Sequence, residues 1–276
     1  MKTSIKILIA IALSIITFSS SAQQYAQNNS INGKTQFRYS DNFTNYDVQI
    51  KGEIKVNDND TRIVSITPGG YLKISKKTFG NKRSILIEAN SNGSVDYEYY
   101  EGRSKVPFNP EGEKWLSEVL IDVVRMTGID AAARVKRIYK SGGINAFVSE
   151  VNEIESNSVS GLYYEILLDS YKLKENELIE VISSISRDIT SNSERGRLFR
   201  EFNELFLVNN KVATEYFLGI SRLSSNSERG SILRKITSNI DFNNNEVTEA
   251  YFTAVDRMSS NSERGSVIKY VERSQK

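Results

Sequence analysis

The feature of this sequence that most constrains its fold is a hexapeptide that recurs at a nearly constant distance. It reads Ser-Asn-Ser-Glu-Arg-Gly in three copies, and a degenerate copy, Ser-Asn-Ser-Val-Ser-Gly, precedes them. The copies begin at Ser156, Ser191, Ser225 and Ser260, so the spacings are 35, 34 and 35 residues. A fixed period of this length is typical of helical repeats that stack into a solenoid. We therefore predict an α-solenoid of about four two-helix repeats over residues 143–276.

The hexapeptide also predicts where the second helix of each repeat begins. A serine followed three residues later by a glutamate has the spacing of a capping box, in which each side chain bonds the other residue's backbone amide. The three pairs are Ser191 with Glu194, Ser225 with Glu228, and Ser260 with Glu263. We interpret them as structural caps of the repeats.

Every copy also carries a glycine in the first turn of the predicted helix. These glycines are Gly161, Gly196, Gly230 and Gly265. Glycine weakens a helix by about 1 kcal/mol relative to alanine, so its recurrence needs a packing reason. We expect a close approach by the preceding helix.

The N-terminal half has a different periodicity. Apolar and polar residues alternate between residues 34 and 108, and short turn sequences such as Pro68-Gly69-Gly70 and Asn92-Gly93 separate the runs. This pattern predicts an antiparallel β meander over 34–108. Helical spacing of apolar residues after Pro110 then predicts a connecting helix pair over 109–142. The predicted fold class is therefore α+β.

The first 22 residues have the pattern of a secretory signal peptide. Lys2 and Lys6 precede a short apolar run, and small residues, Ser20 and Ala22, stand at the expected cleavage positions. We predict cleavage after Ala22 and a periplasmic or secreted protein. A polar lead-in over 23–33 is expected to be disordered. No later stretch is apolar enough to predict stable membrane insertion.

Composition excludes several chemistries. The chain has no cysteine and no histidine, so thiol nucleophiles, histidine bases and the usual zinc sites are excluded. Without the two lysines of the signal peptide, 36 − 2 = 34 basic residues balance 34 acidic ones. A nucleic-acid partner is not expected, because such proteins carry a basic excess. We predict no catalytic residues, no metal and no cofactor.

The arginines of the hexapeptide are the candidate partner-binding residues. Arg195, Arg229 and Arg264 hold the same place in successive copies, and such a ladder suits carboxylates or phosphates. The alternative is that each arginine pairs with a glutamate or caps a carbonyl and so holds the repeats in register. We favour the structural alternative.

Two further motifs have structural and functional interpretations. The run Asn57-Asp58-Asn59-Asp60 resembles the start of a calcium loop, but Ile63 stands where such a loop needs glycine, and we interpret the run as a turn. Tyr97, Tyr99 and Tyr100, with Tyr71, are suited to stacking on sugar rings. They are also ordinary strand residues, which is the interpretation we favour.

The repeats resemble the general class of HEAT-like and tetratricopeptide-like helical pairs, although the tetratricopeptide pattern itself is missing. The SNSERG cap together with SITPGGYLKI (Ser65 to Ile74) is similar to uncharacterised exported bacterial proteins. Comparable segments lie behind membrane-bound metallopeptidase sensors of the BlaR1 type. The chain lacks the HExxH motif of such a sensor, so the resemblance implies a signalling role and no peptidase activity.

These observations favour a non-enzymatic scaffold of the cell envelope that binds a protein partner along the repeat surface. The first alternative is an accessory sensor or regulatory domain that works with a membrane signalling protein. The second is a glycan-binding protein or a carboxylate-dependent hydrolase, which would need a deep pocket with two carboxylates about 5–9 Å apart.

Overall fold

The computed structural model describes residues 27–31 and 33–275. As predicted, the architecture is α+β, with an antiparallel sheet followed by helices. The strands are β1 (Gln27–Ile31), β2 (Lys34–Ser40), β3 (Thr44–Lys51), β4 (Ile54–Val56), β5 (Ile63–Ile66), β6 (Tyr71–Thr78), β7 (Asn81–Ala89), β8 (Val95–Glu101) and β9 (Ser104–Val106). The helices are α1 (Glu113–Thr127), α2 (Ala131–Asn152), α3 (Asn157–Ser170), α4 (Glu175–Asp188), α5 (Asn192–Glu201), α6 (Asn203–Phe206), α7 (Asn210–Ser221), α8 (Asn226–Ile236), α9 (Asn245–Asp256) and α10 (Asn261–Ser274). The predicted signal peptide, residues 1–22, lies outside the described residues.

The main sheet has the strand order β1-β2-β3-β6-β7-β8-β9, and each neighbouring pair is antiparallel. The hairpin β4-β5 is inserted between β3 and β6 and forms a small separate sheet. Alternation along the central strands collects their apolar side chains on one face, because successive residues point to opposite sides. The buried residues of this face include Val48, Leu72, Ile74, Ile85 and Ile87.

The strand β1 lies inside the segment that the sequence predicts to be disordered. Gln27–Ile31 pairs with β2 along its whole length, from Gln27 opposite Arg38 to Ile31 opposite Lys34. The mostly polar sequence of this segment does not predict a strand, but the open edge of β2 offers backbone N–H and C=O groups to any extended segment. Composition therefore underestimates the extent of the sheet.

Helix α1 covers the apolar face of the sheet and completes the first core. Its buried residues recur at helical spacing and are Trp115, Leu116, Val119, Leu120, Val123 and Val124. The rings of Tyr99 and Trp115 lie 5.7 Å apart and join strand to helix. Each fully buried large side chain contributes about 1.5–3 kcal/mol, so this layer binds α1 firmly to the sheet.

The remaining helices form a second core. Helices α2, α4, α7 and α9 contact one another in chain order, and so do α3, α5, α8 and α10. Helix α2 is interrupted at Gly142 and Gly143, and Gly143 has a φ of +62°. The segment of α2 after this break packs with the later helices through residues such as Phe147 and Val151. In the part of the chain that the structure describes, no helix is long and apolar enough to span a bilayer.

Candidate functional site

The serine of each hexapeptide caps the helix that follows it. The hydroxyls of Ser191, Ser225 and Ser260 each accept a 3.3 Å hydrogen bond from the backbone N–H three residues later. Ser156 does the same in the degenerate copy, at 3.4 Å. The expected return bond from the glutamate to the serine amide is replaced by other contacts, because these carboxylates point toward the preceding copy.

Each of those glutamates lies over a glycine of the copy before it. The carboxylate of Glu194 lies on Gly161, that of Glu228 on Gly196, and that of Glu263 on Gly230. A Cβ atom at any of these glycines would overlap the carboxylate. The predicted close approach is therefore present, but it is made by a side chain of the following copy rather than by the preceding helix.

Arginines of the preceding copy neutralise these carboxylates. Arg200 pairs with Glu228, and Arg234 pairs with Glu263 at 2.6 Å. The corresponding position of the first copy is an acid, Glu165. There Arg197 bridges the two acids, at 2.8 Å from Glu165 and 2.7 Å from Glu194. At each of these junctions the glutamate that covers the glycine is thus paired with an arginine.

The asparagine of the hexapeptide makes the most regular contact between copies. The Oδ1 atom of Asn157 accepts from the backbone N–H of Thr190 at 2.7 Å. Asn192 accepts from Ser224 at 2.8 Å, and Asn226 accepts from Ser259 at 3.0 Å. These asparagines were not among the residues predicted from the sequence to have a role. The signal was available, since an asparagine recurs after every cap serine and a hydroxyl residue precedes the later caps.

Two of the three candidate arginines lie inside the fold. Arg195 is 8% exposed and Arg229 is 4% exposed. Arg195 donates to the Ser186 carbonyl at 3.1 Å, and Arg229 donates to the carbonyls of Ser221 and Leu223. These carbonyls lie at or just beyond the C-terminal ends of α4 and α7, where helices leave acceptors unsatisfied.

Burial lowers the pKa of both guanidinium groups, since desolvation disfavours the charged form. Arg264 is half-buried and donates to Asn261 of its own copy at 2.8 Å. The structure thus places the arginine ladder mainly between helices, where its atoms satisfy helix ends. A partner could reach Arg195 or Arg229 only if the helix ends that cover them moved apart.

A buried ion network joins the sheet to the helices. Arg134 of α2 is 2% exposed and donates to Asp60 at 2.7 Å and to the Tyr163 hydroxyl at 2.7 Å. It also pairs with Glu150 at 3.0 Å, and Arg137 pairs with Asp60 at 2.8 Å. The Asn57–Asp60 turn is therefore the attachment of the β4-β5 hairpin to α2. A cation at Asp60 would have to compete with two guanidinium groups.

The cluster of tyrosines does not form one platform. Tyr99 is buried in the sheet core, whereas Tyr97 stacks on Phe108 with ring centroids 4.4 Å apart. Tyr100 donates to Glu98 at 2.9 Å. Because neighbouring strand residues face opposite sides of the sheet, the three rings are divided between its two faces.

A cleft of about 700 Å³ opens between the sheet and the start of the repeats. Its lining includes Phe37, Tyr39 and Lys76 from the sheet, and Asp122, Met126 and Ser158 from the helices. Aromatic and apolar side chains form part of its wall. Acidic and basic side chains lie beside them, so the cleft can contact apolar and charged groups of either sign.

The polar groups of the cleft hold one another in place. The Tyr46 hydroxyl donates to Asp122 at 2.6 Å, and the ammonium of Lys76 lies 3.5 Å from the same carboxylate. Burial, followed by the bond to Asp122, raises the pKa of Tyr46, so its phenol stays neutral at ordinary pH. Arg125 is held by Glu150 at 2.9 Å. This arrangement is suited to binding and orientation.

No family model matches the chain, and neither a curated protein nor a solved structure matches it.

Proposed function

We propose that this protein is an exported, non-enzymatic interaction scaffold of the cell envelope, and that its cleft binds a polypeptide segment of a protein partner. The observation that carries the proposal is the cleft itself, which is lined by side chains of both the sheet and the helices. Its volume of about 700 Å³ lies in the range of ligand sites, roughly 300–1,000 Å³. Its aromatic wall and mixed charges suit a peptide better than a uniformly charged polymer.

The helical half serves as a rigid frame in this proposal. We infer a solenoid of four two-helix repeats, supported by three contacts that recur at the period of the hexapeptide. These are the asparagine bond to the next copy, the glutamate over the glycine, and the arginine-glutamate pairing. Stacking of this kind produces an extended surface that partners can use. The buried arginines contribute to the frame, and the partner contacts other residues.

The cellular setting of the proposal rests on the N-terminal sequence. The signal-peptide pattern of residues 1–22 supports export. The resemblance of the SNSERG and SITPGGYLKI segments to proteins behind membrane sensors supports an envelope partner. A membrane signalling protein is the kind of partner that this resemblance implies.

The test uses two serines that occupy the same place in different copies. Ser158 is exposed in the first turn of α3 and lines the cleft. Ser227 is exposed in the first turn of α8 and is not among the residues that line the cleft. A tryptophan at Ser158 should obstruct the cleft, whereas a tryptophan at Ser227 controls for the bulk of the side chain.

Tagged chains from Gln23 onward, as wild type, Ser158→Trp and Ser227→Trp, are incubated with envelope extract of the host and analysed by quantitative mass spectrometry. We expect a protein that wild type and Ser227→Trp retain equally and that Ser158→Trp loses by about tenfold, equivalent to about 1.4 kcal/mol. Equal retention by all three proteins would place the partner outside the cleft and overturn the proposal.

A further inference from the structure

The turn between β6 and β7 holds an aromatic residue in an unfavourable conformation. Thr78 pairs with Asn81, so the hairpin loop consists of Phe79 and Gly80 alone. Their φ angles are +48° and +87°. Two-residue loops with positive φ at both positions favour asparagine, aspartate and glycine, and a phenylalanine there is strained.

Burial does not compensate for this strain. Phe79 is 75% exposed, so its ring gains little from the sheet core. Backbone strain that packing does not repay is a reason to look for a function at the same position.

A second exposed phenylalanine lies against the first. Phe43, in the turn between β2 and β3, is 60% exposed, and the two rings lie 5.1 Å apart. The N–H of Phe79 donates to the carbonyl of Phe43 at 3.1 Å. Asp41 fixes the second turn by accepting from the backbone N–H of Phe43 at 2.7 Å and of Thr44 at 2.6 Å. The exposed pair is therefore held in a defined position by two turns.

Basic residues surround this aromatic pair. In the register of β6 and β7, Lys77 pairs with Lys82, directly next to the pair of Thr78 and Asn81 that closes the loop. Arg103 lies in the adjacent turn between β8 and β9, which is attached to β7 by a bond from the Gly102 N–H to the Lys82 carbonyl at 2.8 Å. All three cations are exposed, and none forms an ion pair with another described residue.

The acids of the same turns are already engaged. Asp41 is bonded to two backbone amides, and these bonds hold its pKa below the usual value. Glu101 pairs with Arg83 at 3.6 Å and accepts from the Tyr99 hydroxyl at 3.0 Å. This end of the sheet thus presents two rings at its tip and unpaired positive charge directly behind them.

We propose that this end of the sheet docks on the surface of an anionic lipid bilayer. Phe43 and Phe79 enter the boundary between headgroups and acyl chains, and Lys77, Lys82 and Arg103 contact the anionic headgroups. Aromatic residues prefer this boundary, and each basic residue near an anionic surface adds to the attraction. Reversible attachment by two weak signals, one apolar and one basic, is a common mode of peripheral binding. It requires no transmembrane helix.

The experiment measures sedimentation of the chain from Gln23 onward with vesicles of phosphatidylcholine alone or mixed with an equal part of phosphatidylglycerol. We expect binding to the anionic vesicles only. The variant Phe43→Ser/Phe79→Asn and the variant Lys77→Gln/Lys82→Gln should each weaken it at least about tenfold. The control Val208→Ser removes another exposed apolar residue, 61% exposed and located between α6 and α7, and should bind as wild type.

The single variant Phe79→Asn separates loss of the membrane contact from misfolding. Asparagine tolerates positive φ, so this variant should melt at a higher temperature than wild type while it binds anionic vesicles less. The proposal is overturned if wild type ignores anionic vesicles, or if the phenylalanine variants bind as wild type. It is also overturned if the pair instead mediates self-association, seen as a dimer in analytical ultracentrifugation that Phe79→Asn abolishes without any lipid binding.

Discussion

The side-chain oxygen of Asn192 accepts a 2.8 Å hydrogen bond from the backbone N–H of Ser224, 32 residues later in the chain. The amide nitrogen of Asn192 also donates to the Ser224 hydroxyl at 2.8 Å. One side chain therefore bonds both the backbone N–H and the hydroxyl of the residue just ahead of the next helix cap. The same bond recurs from Asn157 and from Asn226. A repeated direct contact therefore fixes the distance between neighbouring copies.

The first prediction concerns this asparagine. Asn192→Ala removes the acceptor for the Ser224 amide, and each such hydrogen bond contributes about 0.5–1.5 kcal/mol. We expect the free energy of unfolding to fall by about 1–2 kcal/mol in a urea titration followed by circular dichroism. Asn261→Ala is the matched control, since the Oδ1 atom of Asn261 accepts only from Arg264 within the described residues. Equal losses in the two variants would contradict a role between copies.

The glycines of the hexapeptide give a second prediction, in which the sign of the effect differs between copies. At Gly265 a Cβ atom would meet open space, so Gly265→Ala should stabilise α10 by about 1 kcal/mol through helix propensity. At Gly196 the same change displaces Glu228 from its place beside Arg200. We expect Gly196→Ala to lower the midpoint of thermal unfolding while Gly265→Ala raises it. A rise in both variants would show that the glutamate contact contributes nothing.

The contrast between these positions shows what the sequence could predict. The repeat period and the serine caps are visible in the sequence, because both are local patterns that recur four times. The glycines pointed to a close approach, but the atom that approaches belongs to a side chain 32 to 33 residues away, and local spacing carries no information about it.

The junction between sheet and helices was not predicted for the same reason. Asp60 and Arg134 are 74 residues apart and belong to elements of different type. The turn around Asp60 reads as ordinary turn chemistry, and nothing near Arg134 marks it as buried. The cleft is lined by residues far apart in the chain, such as Phe37 and Ser158, so its location could not be derived from the sequence. The aromatic pair at the tip of the sheet is similarly invisible, because Phe43 and Phe79 meet only through strand register.

The third prediction separates the structural role of the arginines from partner binding. Arg229→Ala leaves the carbonyls of Ser221 and Leu223 without their charged donor, and such bonds contribute about 1.5–3 kcal/mol. We expect a loss of stability of about that size, with capture of the envelope partner unchanged at a temperature where the variant is folded. Arg264→Ala should change stability by less than about 0.5 kcal/mol, as surface substitutions usually do. A stable Arg229→Ala variant that has lost its partner would restore the arginine ladder as the binding site.

The fourth prediction is a pH dependence of the junction. Burial acts to raise the pKa of Glu150, but the hydrogen bond from Arg125 and the charge of Arg134 together hold it below the usual value of 4.5. A carboxyl whose pKa is lowered by folding stabilises the protein above its unfolded-state pKa, and this contribution is lost as the pH falls through the folded-state pKa.

Glu150→Gln should therefore destabilise the protein near neutral pH by about 1–3 kcal/mol, because charged partners are left unsatisfied. The difference from wild type should shrink as the pH falls from about 4.5, where the unfolded chain takes up the proton first, through the lower pKa of the folded state. Urea titrations of both proteins across this range measure it. A difference that is independent of pH would contradict the network described for Arg134.

The proposed function depends on the cleft, and site-specific photo-cross-linking is its direct test. A benzophenone amino acid is placed at Ser158, in the cleft, or at Ser227, in the equivalent first turn of a later copy. Cells that export each variant are irradiated, and the adducts are identified by mass spectrometry. We predict one dominant protein adduct at position 158 and none at 227. Adducts at 227 alone, or none at either position while both variants are folded and exported, would contradict binding of a protein partner in the cleft.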